Sequence, residues 1–131
     1  MRIRHVAMVT SDLERTADLY TGVFGFKRMG EVRKPGNYPG LALPLSDGEV
    51  NFQLLTPNED VPIQDWAYGT MGPNHIGIEV DDTRKVIEAL EERGVDVYGV
   101  DASTEPPRFF KFRDPDGAEI DVASRERSWK F

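Results

Sequence analysis

Asn74-His75-Ile76-Gly77-Ile78-Glu79-Val80-Asp81-Asp82 is echoed 70 residues earlier by Arg4-His5-Val6-Ala7-Met8-Val9-Thr10-Ser11-Asp12, with each histidine seven residues before an aspartate. An internal repeat sets the architecture before any single element is read. In both copies polarity alternates with a period of two. Val6 and Met8 share one face with Ile76 and Ile78, while His5 and Ala7 share the other with His75 and Gly77. That pattern predicts two strands, each covered on its apolar face and open on its histidine face.

Reading outward, each strand runs into a helix-start signal. Ser11 with Glu14 forms a capping box, and Asp81 or Asp82 precedes Thr83-Arg84-Lys85. Leu13, Ala17, Tyr20 and Phe24 then trace a helical stripe, as do Val86, Ala89, Leu90 and Arg93. Gly25 and Gly94 stand where a helix C-terminus needs positive φ. Further strands are predicted at 26–33, 40–45 and 49–55, and at 95–102, 108–113 and 119–123. The last two in each half are joined by Ser46-Asp47-Gly48 and by Asp114-Pro115-Asp116-Gly117. Each half therefore reads βαβββ.

The expected fold is α+β, with two tandem βαβββ modules forming a curved, partly open eight-stranded trough within one domain over 1–131. Module one covers 1–56 and module two covers 74–123, with a linker at 57–73 and a tail at 124–131. The linker is rich in Pro, Asn, Asp and Gly and long enough for domain swapping, with Trp66 and Tyr68 expected to fold over a surface.

Composition narrows the function. The 131 residues are 39% hydrophobic, 30% charged and 10% aromatic, as in ordinary globular domains. Sixteen Lys and Arg against 23 Asp and Glu give a formal charge of -7, which argues against nucleic acid and anionic membranes as partners. The chain has no cysteine, so disulfides, thiolate metal sites and cysteine nucleophiles are excluded. No window approaches the ~18 apolar residues of a membrane helix. Charged Asp12, Glu14 and Arg15 follow too soon for a signal-peptide core, so a cytoplasmic location is expected.

A lone histidine on a strand face is more often packed or hydrogen-bonded than a ligand. Here the chain's two histidines hold equivalent places in a repeat, both opposite the apolar set. The matching last strands add candidates at the same depth. With Phe52 and Leu54 turned to the helix layer, Asn51 and Gln53 face the trough; with Ile120 and Val122 turned inward, Glu119 and Asp121 do the same. His5, Gln53, His75 and Asp121 offer two imidazoles, an amide oxygen and a carboxylate, a donor set suited to one divalent ion, whether Zn, Ni, Co, Fe or Mn.

The chain resembles the vicinal oxygen chelate superfamily of glyoxalase I, extradiol dioxygenases, methylmalonyl-CoA epimerase and the fosfomycin and bleomycin resistance proteins. The resemblance rests on His5, Phe24-Gly25-Phe26, the Asn74 to Asp82 stretch, and Phe112-Arg113-Asp114-Pro115-Asp116-Gly117-Ala118-Glu119-Ile120-Asp121, and it spans nearly the whole chain. It implies a metal held by His5, Gln53, His75 and Asp121, where the family more usually has glutamate at the last position. Gln53 is similar to the epimerase branch in a place where glyoxalases often have glutamate.

Three functions follow from it. The first is a metal-dependent lyase or isomerase of the glyoxalase or epimerase kind, acting on a small substrate through neighbouring oxygens with Asp121 or Glu119 moving a proton. The second is an extradiol-type dioxygenase with Fe(II) on His5, His75 and Asp121. The third is a metal-free, bleomycin-resistance-type dimer whose acidic groove binds a cationic small molecule. Asn51, Glu79 and Arg113 are assigned as substrate contacts, and Tyr38, Trp66 and Arg108, from their places near the inferred trough, as further contacts to an anionic or aromatic substrate. A homodimer is expected, swapped or unswapped. Phe109, Phe110 and Phe112 are read as core and trough wall, and Trp129 and Phe131 as anchors of the tail.

Overall fold

The computed structural model describes residues 2–36, 38–62, 72–127 and 129. The first half runs β1 (His5–Val9), α1 (Leu13–Phe24), β2 (Lys27–Arg28), β3 (Gly40–Ser46) and β4 (Asn51–Pro57). The second runs β5 (His75–Val80), α2 (Thr83–Glu91), β6 (Val97–Tyr98), β7 (Phe109–Arg113) and β8 (Glu119–Ser124). The chain is α+β, two βαβββ modules in tandem, and it divides into two compact units, Met1–Pro62 and Ile63–Phe131. Trp66, Tyr68 and Phe131 lie outside the described residues.

Each unit carries one four-stranded sheet, ordered β1-β4-β3-β2 in the first and β5-β8-β7-β6 in the second. The opening strand of each module lies parallel to its last strand, and the remaining pairs are antiparallel. The helix supplies the crossover that a parallel pair requires. One sheet face is packed and the other is left open, as the alternation predicts.

In unit one the packed face centres on Tyr20, fully buried with its ring centroid 4.8 Å from Phe52 and 5.7 Å from Phe26. Leu43, Leu45 and Leu54 fill the space around it, each fully buried. In unit two Phe110, Phe112, Ile120 and Val122 are fully buried, as is Leu90 of α2. Each such aliphatic or aromatic side chain contributes about 1.5–3 kcal/mol by leaving water.

The helix starts differ from the sequence reading in one respect. Asp12, not Ser11, is the N-cap of α1, its carboxylate accepting the Arg15 N–H at 3.1 Å. The helix begins one residue later than a Ser11–Glu14 box requires, and Glu14 is instead drawn to Arg28 across the sheet edge. Asp82 caps α2 in the same way, through Lys85 N–H at 3.2 Å. Gly25 closes α1 at φ 71° as expected, and Gly94 takes φ 70° just beyond α2. Arg93 is exposed, so the α2 stripe ends at Leu90.

The second strand of each module is much shorter than predicted. After Arg28 the exposed stretch 29–36 keeps only a Met29 N–H bond to Pro44 and a bridge between Arg33 and Ala42. After Tyr98 the regular ladder is interrupted at Gly99, φ 59°, and resumes only as an Asp101 N–H bond to Phe109 of β7 at 2.8 Å. These are edge strands, paired on one side only, so little opposes a glycine or a polar run that ends them. The hairpin turns hold as read: Asp47 accepts from Glu49 and Val50 N–H at 2.8 and 2.7 Å, and the buried Asp114 accepts from Asp116 and Ala118 N–H at 3.0 and 2.9 Å. Neither helix is long and apolar enough to cross a membrane, among the described residues.

Candidate functional site

In unit one the open face is set by the parallel pairing of β1 with β4, which places His5 opposite Asn51 and Ala7 opposite Gln53. Registered residues of neighbouring strands point to the same side, so His5, Asn51 and Gln53 share one surface. His5 Nδ1 lies 2.6 Å from Asn51 Oδ1. With the amide oxygen as acceptor, Nδ1 is the donor of this bond. The residue assigned as a substrate contact, Asn51, is thus taken up in orienting His5.

Unit two repeats the arrangement. His75 stands opposite Glu119 and Gly77 opposite Asp121, the same relation as in unit one. Gln53 and Asp121 are therefore structural equivalents, each registered with the residue two beyond its histidine. His75 Nδ1 meets Asn74 Oδ1 at 2.9 Å. Its Nε2 lies 3.5 Å from Asp121 Oδ2. Two donors on one ion with bonds near 2.1 Å stand about 3.0–3.4 Å apart, so this pair is spaced as adjacent ligands would be.

Across β8 the antiparallel partner β7 brings Lys111 opposite Asp121 and Arg113 opposite Glu119. Lys111 Nζ reaches Glu119 Oε1 at 2.7 Å and Asp121 Oδ1 at 3.0 Å. The second contact is an ion pair off the direction of a hydrogen bond, since the buried Oδ1 has no aligned donor. Tyr98 donates its hydroxyl to Glu119 Oε2 at 2.8 Å, so both oxygens of Glu119 are engaged. Asp121, 6% exposed, keeps Oδ2 toward His75.

These contacts explain the acid–base character of the cluster. The Lys111 hydrogen bond holds Glu119 below the usual carboxylate range, helped by Tyr98 and opposed by burial. The same bond raises Lys111, with burial opposing. Burial is the main cause that raises Tyr98; the Glu119 carboxylate adds to it and Arg113 opposes it.

The remaining assigned residues sit around this cluster. Glu79 occupies the next position on the same face, with Arg125 Nε at 3.7 Å, and Arg125 also pairs with Asp81 at 2.8 Å. Arg127 lies over the Phe109 ring at 4.9 Å, and the Trp129 indole rests on Gly77, where a Cβ would fall 2.4 Å from it. The tail is thus laid across the face that carries His75 and Asp121.

His5 and Gln53 belong to unit one, His75 and Asp121 to unit two. Among the described residues no three His, Asp or Glu stand close enough to hold an ion. Sequence reasoning missed Lys111 and Tyr98 as members of the cluster, and Asn51 and Asn74 as partners of the histidines. For Lys111 the signal was present: with Phe110 and Phe112 inward, the alternation on β7 turns Lys111 to the Asp121 face.

Two βαβββ modules in tandem, each with a histidine on its opening strand, define an α+β protein of the two-module kind. Residues 2–122 match the model of the Glyoxalase/Bleomycin resistance protein/Dioxygenase superfamily, and the chain belongs to it. It is 26% identical to a lactoylglutathione lyase of Escherichia coli O157:H7 over 93% of this chain and 91% of that protein. The trypanothione-dependent glyoxalase I of Leishmania major superposes with TM-score 0.74 at 22% identity, covering 96% of this chain and 88% of that one. An antibiotic-binding protein of Streptomyces sp. CB03234 superposes with TM-score 0.63 at 27% identity, covering 98% and 97%.

Proposed function

We propose that the chain is a divalent-metal-dependent enzyme of this superfamily, with lyase or isomerase chemistry on a small substrate that offers neighbouring oxygen atoms. One observation carries the reading. Both histidines have Nδ1 tied to an asparagine oxygen, and His75 Nε2 lies 3.5 Å from an Asp121 oxygen. Second-shell bonds of this kind orient metal-ligating imidazoles and raise their basicity. The donors proposed for the ion are His5, Gln53, His75 and Asp121, two imidazoles, an amide oxygen and a carboxylate.

A divalent ion with one anionic ligand supplies a net positive centre that polarises substrate oxygen. The chain's own residues divide the remaining work. Glu119 has both oxygens engaged, by Lys111 and Tyr98, so it serves to position them rather than to take a proton. Asp121 Oδ2, the carboxylate oxygen that faces His75 and not Lys111, is assigned to the ion rather than to proton transfer. Arg113, exposed on the same face, is the substrate contact for an anionic group. Two copies of the chain are expected to pair, which light scattering measures directly.

A second reading is a metal-free small-molecule binder. It is favoured by Lys111, which already neutralises the carboxylates, and by the similarity to the Streptomyces antibiotic-binding protein. The two readings separate on isothermal titration with Zn²⁺, Ni²⁺, Co²⁺ and Mn²⁺, followed by turnover of lactoylglutathione by the loaded protein. The enzyme reading expects one ion per chain and metal-dependent turnover of this or a related thioester. Stabilisation by an organic ligand in the presence of a chelator, with no ion bound, would overturn it.

A further inference from the structure

We propose that Lys111 is a resident counter-cation that competes with a divalent ion for Asp121 and so sets how tightly this face holds metal. The inference rests on the metal-dependent reading above, and adds a residue that the ligand set does not contain.

Asp121 is buried, and a buried carboxylate requires a compensating charge. Lys111 provides it, 3.0 Å from Oδ1 across the β7–β8 ladder. The ammonium is not free to leave, because Glu119 grips it at 2.7 Å and Tyr98 fixes the far oxygen of Glu119. The chain Tyr98–Glu119–Lys111–Asp121 thus ends on the carboxylate whose other oxygen faces His75. An ion arriving between His75 and Asp121 Oδ2 meets a carboxylate already shared with a cation on its second oxygen. It also meets like-charge repulsion in a partly buried place, where such repulsion is weakly screened. Lys111, already on Oδ1, would therefore compete with a divalent ion for Asp121 and lower its affinity, leaving more of the binding to the histidines. That favours borderline, nitrogen-preferring ions over Mg²⁺ or Ca²⁺.

The test is titration of the full chain with Ni²⁺ and Zn²⁺ in two variants of opposite expected sign. Lys111→Met removes the competitor and is expected to tighten binding by roughly tenfold or more, the usual scale of second-shell changes. Glu119→Gln removes the ammonium's other anionic partner, commits it to Asp121, and is expected to weaken binding. Lys111→Arg keeps the charge and the wild-type affinity. Near-UV circular dichroism reports whether each variant is folded, and adding His75→Ala to Lys111→Met should abolish the gain.

Equal affinities for wild type and both variants would overturn the proposal and leave the metal-dependent reading standing. Binding by Lys111→Met but not by wild type, lost with His75→Ala, would uphold the proposal and overturn metal dependence in the natural chain. Absence of binding in all of them would overturn both. Should Lys111→Met not fold, unchanged or tighter binding by Glu119→Gln is sufficient to refute it.

Discussion

Asn51 and Asn74 each set an amide oxygen against Nδ1 of one histidine, at 2.6 and 2.9 Å, and so hold the orientation of its ring. Replacing either by Ala frees the imidazole to rotate and change tautomer. Metal affinity is expected to fall about 10–100-fold while stability changes little, because both histidines are exposed. Calorimetric titration checks it, and Asn→Asp, which keeps the acceptor, should restore much of the loss. Glu119 and Lys111 give a second residue-scale expectation, in pH. A carboxylate held low in the folded state contributes stability that is full above its ordinary pKa and lost as pH falls through the folded value; the raised lysine contributes below its ordinary pKa and loses that contribution only at high pH. The stability gap between wild type and Lys111→Met, read by denaturant unfolding, should be widest near neutrality and close below the usual carboxylate range. The histidines were legible from the repeat alone. Their asparagine partners were visible as residues but not as partners, because Asn51 meets His5 only through a register between strands 46 positions apart. Lys111 was hidden for the same reason: its neighbours are set by pairing, not by spacing.

Strand β5 and the tail show what an element contributes. Gly77 has no side chain, and the Trp129 indole uses the space, 2.4 Å from where a Cβ would stand. Gly77→Ala should therefore displace the tail rather than unfold the sheet, since the indole is partly exposed and has somewhere to go. In a Trp66→Phe background, Trp129 is the remaining tryptophan of the chain's two, and its emission should shift to the red and become easier to quench. The melting temperature should move by no more than a few degrees, the consequence of about 1 kcal/mol or less. Alternation sufficed to predict which face of each strand is packed, because the period of two leaves no choice once one face is apolar. It did not predict how far β2 and β6 extend. An edge strand lasts as long as its one partner holds it, and Gly99 and the exposed run after Arg28 end the pairing early. The α1 cap was misplaced by one residue because Ser11 and Asp12 are both good caps and the tertiary pull of Arg28 on Glu14 is not local.

For the whole molecule, the repeat determined the plan, and two four-stranded sheets with the same strand order carry it out. Identity of 26–27% with a lyase and with an antibiotic-binding protein, over nearly the full length of each, marks a scaffold that hosts both chemistry and simple binding. The fold therefore leaves the choice to the site. The formal charge of -7 bears on partners rather than on reaction, and it suits either use. What separates the two is whether the chain retains a divalent ion through its histidines. The direct measurement is metal content by elemental analysis after equilibration with Ni²⁺ or Zn²⁺ and desalting, for wild type, His5→Ala and His75→Ala. One ion per chain in the wild type, lost in both variants, is the expected result. No retained ion in the wild type, or retention unchanged when either histidine is removed, would contradict it.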